Sequence, residues 1–161
     1  EGGAADGGAA SARESAELLD DGGLWRAHGR ALPSGLCLRC APTPHTDSSV
    51  AWRLDGPEGS VGYTGDTGYA DAVADFLAGV DLLVAECSLP EEEAMETHLT
   101  PARLARLAVR AAPARLVATH VYPQLASADL AALVRSAGWD GPFTRAEDGL
   151  RLRVAEARTE R

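Results

Sequence analysis

Short β-favouring runs alternate with stretches of helical spacing over residues 60–138, and that alternation limits the possible folds more than any other feature. Residues 60–64 lead into 69–78, where Val73, Phe76 and Leu77 share one helical face and Gly79 is the stop. Leu82-Leu83-Val84-Ala85-Glu86 is an apolar run closed by a carboxylate, which suits a strand buried on both faces. Thr100 and Pro101 open a helix whose buried stripe is Leu104, Leu107, Ala108 and Ala111. Residues 115–119 form the next buried strand. Ser127 is predicted to cap a last helix carrying Leu130, Leu133 and Val134, with Gly138 at its end. Strands that alternate with helices run parallel and gather their C-terminal ends on one rim, where open α/β sheets bind ligands. The expected fold class is α/β to α+β, a mixed sheet with helices on one face.

Upstream, residues 36–41 read as a strand closed by Pro42 and Pro44. Residues 50–54 and 60–64, joined by the turn cluster 55–59, read as a β-hairpin with His45 at its entry and Asp66 at its exit. The two strands are of similar length, so His45 and Asp66 emerge at the same end. Residues 143–145 and 150–154 are predicted to close the fold as a second hairpin. Residues 1–23 read as a Gly/Ala-rich leader with a short helix over 11–19, and 156–161 as a polar tail, leaving 24–155 as the domain.

There are 24 acidic residues against 15 basic ones, all arginine, for a net charge of −9. That balance disfavours non-specific attraction to nucleic acid or to anionic membranes. No apolar run approaches the ~18–20 residues needed to span a bilayer. Three cysteines do not make a disulfide framework, which points to a reducing, cytoplasmic compartment. Cys37 and Cys40 form a lone C-x-x-C, and on a strand their odd spacing turns them to opposite faces, so they read as ordinary strand residues.

The residues able to do chemistry collect at element ends. Asp66 sits between Gly65 and Gly68 beyond a strand, Glu86 and His120 each end one, and His98 lies just before a helix N-terminus. His28, among Arg and Gly, reads as a solvent-exposed histidine. Imidazoles and carboxylates together are the ligand set of Zn²⁺ or a similar divalent ion. Asp66-Thr67-Gly68 also matches the D-T-G of aspartic proteases, but Gly65 precedes it and helical patterns follow, against an all-β protease.

In order along the chain, Pro44-His45-Thr46, Tyr63-Thr64-Gly65-Asp66-Thr67, Leu83-Val84-Ala85-Glu86, His98-Leu99-Thr100-Pro101 and Leu116-Val117-Ala118-Thr119-His120 resemble the C-terminal half of a metallo-β-lactamase-fold hydrolase, in the branch that includes the tRNA-processing ribonuclease Z. The resemblance implies half of an αββα sandwich. It implies that His45 binds a first metal, Asp66 bridges two, and His120 binds the second, with zinc the expected ion. It assigns His98 as proton donor to the leaving group and Glu86 as its carboxylate partner. Two ions sharing a carboxylate supply hydroxide near neutral pH, which attacks a phosphorus or carbonyl centre.

The family's principal ligand motif, H-x-H-x-D-H, does not occur in this sequence. The chain is accordingly expected to be a fragment or a degenerate relative, inactive on its own and with weak or no metal binding; the non-enzymatic alternative is a metal-free α/β module. The 21 positions from His45 to Asp66 are taken up by the hairpin, leaving no room for the tRNA-gripping arm that ribonuclease Z carries there. A tRNA substrate is not expected; a small ester, phosphodiester or lactone is. An uncovered apolar sheet face costs roughly 25 cal/mol for each Å² left wet, so the chain in isolation is expected to self-associate as a homo-oligomer or to be poorly stable.

Overall fold

The computed structural model describes residues 30–154 apart from 33 and 34. The leader 1–23 with its helix, His28 and the tail 156–161 lie outside the described residues. Among the described residues seven strands form one sheet in sequence order. They are β1 (Arg30–Ala31), β2 (Cys37–Pro42), β3 (Val50–Gly56), β4 (Gly59–Tyr63), β5 (Leu82–Glu86), β6 (Arg115–Thr119) and β7 (Phe143–Arg145). β1 to β4 pair antiparallel and β4 to β7 parallel. The change of direction at β4 follows from the connections. The β3–β4 turn is too short for anything but a hairpin, whereas each later link carries a helix and can cross over.

Three helices, α1 (Asp71–Phe76), α2 (Pro101–Ala111) and α3 (Leu130–Ser136), supply the links between the parallel strands. They cover one face of the sheet. Val73, Leu77, Leu104, Leu107, Ala108 and Val134 pack on Leu83, Ala85, Leu116 and Ala118 in one buried cluster. Thr100 caps α2, its Oγ1 accepting the Arg103 N–H at 3.4 Å, and Pro101 stands at the first helical position, where its missing N–H costs nothing. On the opposite face Trp52 and Tyr63 pair across β3 and β4 and are both exposed.

Two local expectations are corrected. α3 is capped by Asp129, not Ser127: the Asp129 Oδ1 accepts the Ala132 N–H at 3.0 Å. Ser127 instead lies in the turn after the 3₁₀ segment Pro123–Leu125. There is no closing hairpin either. Residues 143–145 pair parallel with β6, and 150–154 form no strand; Arg153 and Val154 instead line a cleft with Leu36, Leu54 and Val61. Each β7 residue has a long-range partner on β6, and local alternation cannot reveal such a partner.

Candidate active site

The parallel register brings the C-terminal ends of β4, β5 and β6 level: Tyr63 is opposite Val84, and Glu86 is opposite Thr119. Hydrogen bonds continue the ladder past the strands, from Thr64 N–H to the Val84 carbonyl at 3.0 Å and from Cys87 N–H to the Thr119 carbonyl at 2.9 Å. Every loop that follows a strand therefore starts from one rigid rim.

Glu86 is the centre of that rim and is 1% exposed. Its Oε1 accepts the Thr67 N–H at 2.7 Å and faces the His98 Nδ1 at 2.9 Å. Its Oε2 accepts the Ser88 hydroxyl at 2.5 Å and the Leu99 N–H at 3.2 Å. Four donors fill the lone-pair positions of the carboxylate and tie three chain segments to it. Because a carboxylate only accepts here, His98 carries its ring proton on Nδ1.

Asp66 stands in a different environment. The αL turn at Gly65 (φ +59°) swings the chain out of β4. Among the described residues the Asp66 carboxylate meets one side-chain partner, the His120 Nδ1 at 3.1 Å. That pair is open, with side chains 41% and 36% exposed. His120 itself adopts φ +53°, a left-handed conformation uncommon outside glycine. Strain of this kind, about 1–2 kcal/mol, collects at functional positions. Here it follows directly on β6, where the chain leaves the rim toward Asp66.

His45 reaches the same rim from the β2–β3 loop. That loop is fastened to the Asp66 loop by the Thr43 hydroxyl, which donates to the Asp66 carbonyl at 3.0 Å, and by the Gly68 N–H, which donates to the Pro44 carbonyl at 3.0 Å. Gly68 is obligatory, since a Cβ there would sit 1.8 Å from the Glu96 carbonyl oxygen. The His45 ring lies edge-on to His98 at 5.0 Å between centroids, and His98 is 5.8 Å from His120. The structure thus brings His45, Asp66, Glu86, His98 and His120 into one contiguous cluster.

Two residues of the cluster were not singled out from the sequence. Ser88 touches Glu86, His98 and His120 at once. Its signal was its position two residues after Glu86, which in extended chain means the same face. Tyr122 packs edge-on to His120 with centroids 5.0 Å apart; its spacing from His120 is equally short.

Among the described residues one group of three donors has the spacing a metal needs. Glu86, His98 and His120 offer ligand atoms within 4.8 Å of one another. Glu86, however, has no lone pair unspent and His98 has committed Nδ1. The Asp66–His120 pair is the more open: a half-exposed carboxylate beside an imidazole, the oxygen and nitrogen donors that Zn²⁺ takes, with His45 reaching the rim next to His98, 5.0 Å away between ring centroids.

A sheet with helices on one face and a His/Asp/Glu cluster at its parallel rim fits one half of the metallo-β-lactamase architecture. Residues 17–121 match the family described as the Beta-lactamase superfamily domain, and the chain belongs to it. The uncharacterized protein Rv1339 of Mycobacterium tuberculosis is 30% identical over 101 residues, which is 61% of this chain and 37% of that protein. Among solved structures, the metallo-β-lactamase fold protein YhfI from Bacillus subtilis superposes with a TM-score of 0.67 at 22% identity, over 74% of this chain and 50% of that one. The short form of human tRNase Z gives 0.58 at 18%, over 76% and 45%. A diphosphatase of the PhnP family gives 0.58 at 21%, over 78% and 46%. The chain spans between about a third and a half of the length of these relatives. Among the described residues no helix is long and apolar enough to cross a membrane.

Proposed function

We propose that this chain carries one half of a metal-dependent hydrolytic site that acts on a small ester, phosphodiester or lactone. The observation that carries the reading is the juxtaposition of two unlike pairs: the open Asp66–His120 contact at 3.1 Å and the buried Glu86–His98 contact at 2.9 Å. The first has the donors and the exposure a metal needs. The second has the burial and fixed tautomer of a proton-transfer pair.

In this reading Asp66, His120 and His45 would be this chain's contribution to holding zinc, two ions in the complete site. Bound zinc supplies Lewis acidity and a water of lowered pKa. With its own proton on Nδ1, His98 has Nε2 free to take up a proton from solvent and, as the imidazolium, pass it to the departing oxygen, while Glu86 at Nδ1 orients the ring and balances its charge. Burial of that pair, with His98 at 8% exposure, keeps competing water from the transferred proton. The family's H-x-H-x-D-H ligands are not in this sequence, so full coordination needs donors from outside it. A net charge of −9 argues against a large polyanion such as tRNA as substrate. A diphosphatase and a tRNase among the structural neighbours keep a phosphodiester among the candidates.

Calorimetric zinc titration of the chain and of Asp66→Ala tests the assignment without relying on turnover. The expected result is one weak site, with a Kd of about 1 μM or higher, that disappears in the variant. Two tight sites, or weak binding that Asp66→Ala leaves untouched, contradict it.

A further inference from the structure

We propose that Ser88 is a positioning residue: its hydroxyl, oriented by Glu86, selects the His120 tautomer with the proton on Nδ1 and so keeps Nε2 open as the ligand nitrogen. The ligand half of this inference rests on the proposed function; the tautomer half stands on hydrogen-bond geometry alone.

Ser88 has one hydroxyl hydrogen, and the 2.5 Å contact to Glu86 Oε2 takes it, because every other position around that carboxylate is already occupied by an N–H donor. What Ser88 presents to its remaining neighbours is therefore oxygen lone pairs. Two imidazole nitrogens lie near them, His120 Nδ1 at 3.2 Å and His98 Nδ1 at 3.4 Å. His98 already donates Nδ1–H to Glu86 Oε1 at the shorter distance of 2.9 Å, so the lone pair of Ser88 is left to His120. The second neighbour of His120 Nδ1 is the Asp66 Oδ1 at 3.1 Å, also an acceptor. A lone pair on Nδ1 would face oxygen lone pairs on both sides; a proton there satisfies them both.

Ser88 matters beyond Asp66 for a chemical reason. Asp66 is the carboxylate assigned to the metal, and a carboxylate oxygen engaged there is a poorer acceptor for Nδ1–H. Ser88 is the partner His120 retains. Through its hydroxyl the proton-transfer pair and the ligand histidine share one hydrogen-bond chain: His120 Nδ1–H donates to Ser88, the Ser88 hydroxyl donates to Glu86, and His98 Nδ1–H donates to the same carboxylate. Outer partners of this kind fix ring orientation at metal sites, and their loss costs about 10–100-fold in metal affinity.

Long-range ¹H–¹⁵N spectra of the histidine rings of the whole chain test this, recorded metal-free about two pH units above the ordinary imidazole range near 6.5. His120 is expected as the Nδ1–H tautomer in the unaltered chain. It stays so in Asp66→Ala, where Ser88 alone holds it, and shifts to Nε2–H in Asp66→Ala combined with Ser88→Ala. Should that double variant not fold, Asp66→Ala with Ser88→Thr, which keeps a hydroxyl, must retain Nδ1–H. An Nε2–H His120 in the unaltered chain or in Asp66→Ala, or no shift in the double variant, overturns the inference. Zinc titration gives the second arm. Ser88→Ala weakens zinc binding about 10–100-fold and Ser88→Thr restores it; unchanged affinity in Ser88→Ala overturns the ligand half. No zinc binding by the unaltered chain overturns the proposed function, and with it the ligand role of Nε2, while the spectra judge Ser88 independently.

Discussion

Glu86→Gln is the substitution whose cost can be worked out most closely from the structure. The carboxylate has four donors; the amide has one oxygen and one NH₂ group. With the oxygen turned toward Thr67 N–H and His98 Nδ1–H, the shorter of the backbone contacts is kept at 2.7 Å. The NH₂ then faces Ser88 and Leu99. The Ser88 hydroxyl can rotate and accept, but the Leu99 N–H cannot, and one buried donor is orphaned at about 1–3 kcal/mol. The remaining contacts lose their charge assistance, which roughly halves each. The sum expected is about 2–4 kcal/mol, within the ~5–15 kcal/mol stability of a domain, so the variant should fold. Urea unfolding with an unchanged m value and a lowered midpoint measures it. A midpoint change equivalent to less than about 0.5 kcal/mol, the size of an ordinary surface substitution, would refute the four-donor account of Glu86.

Gly68→Ala is expected to cost at least about 3 kcal/mol and to displace the loop before His98, because the new Cβ meets the backbone oxygen of Glu96 at 1.8 Å; equilibrium unfolding measures the first and His98 ring shifts the second. Burial, with Glu86 and Glu91 adding to it, pushes the Cys87 thiol up to about 12, so native protein at pH 8 should resist alkylation at Cys87 and accept it in urea, as read by peptide mass spectrometry. Burial pushes the Asp55 carboxyl up, but Arg39 and Arg53 together more than reverse this and hold it below the usual carboxylate range. A lowered folded-state value means stability that is present above the unfolded value near 3.9 and lost as pH falls through the folded one. Asp55→Asn should therefore cost about 1 kcal/mol at neutral pH and nothing at the acid end of the transition, in paired urea titrations across that range.

The fold was legible where local pattern and tertiary role coincide. The apolar run at Leu82–Glu86 and the Thr100-Pro101 start of α2 read directly from sequence, because burial on both faces and helix capping are each written in a few consecutive residues. Asp66, Glu86 and His120 could be brought to one rim because parallel strands share an end. The short β3–β4 hairpin likewise implied a common end for His45 and Asp66, whose loops are joined through Thr43 and Gly68. What stayed hidden depends on contacts between distant segments. Residues 143–145 look like half of a hairpin until β6 is known to lie beside them. Asp129 and Ser127 are both good caps, and only the register of α3 on the sheet decides between them. Ser88 carries only the weak signal of lying two residues after Glu86, and its role is invisible until Glu86, His98 and His120 surround it.

The most direct test of the account is to follow the histidine ring nitrogens of the chain while zinc is added. His120 and His45 should move, while His98, bound to Glu86 through Nδ1, keeps its metal-free shifts. If the His98 resonances move with those of His120 while His45 stays still, the metal occupies the Glu86–His98–His120 group instead, and the division between ligand and proton-transfer residues is wrong.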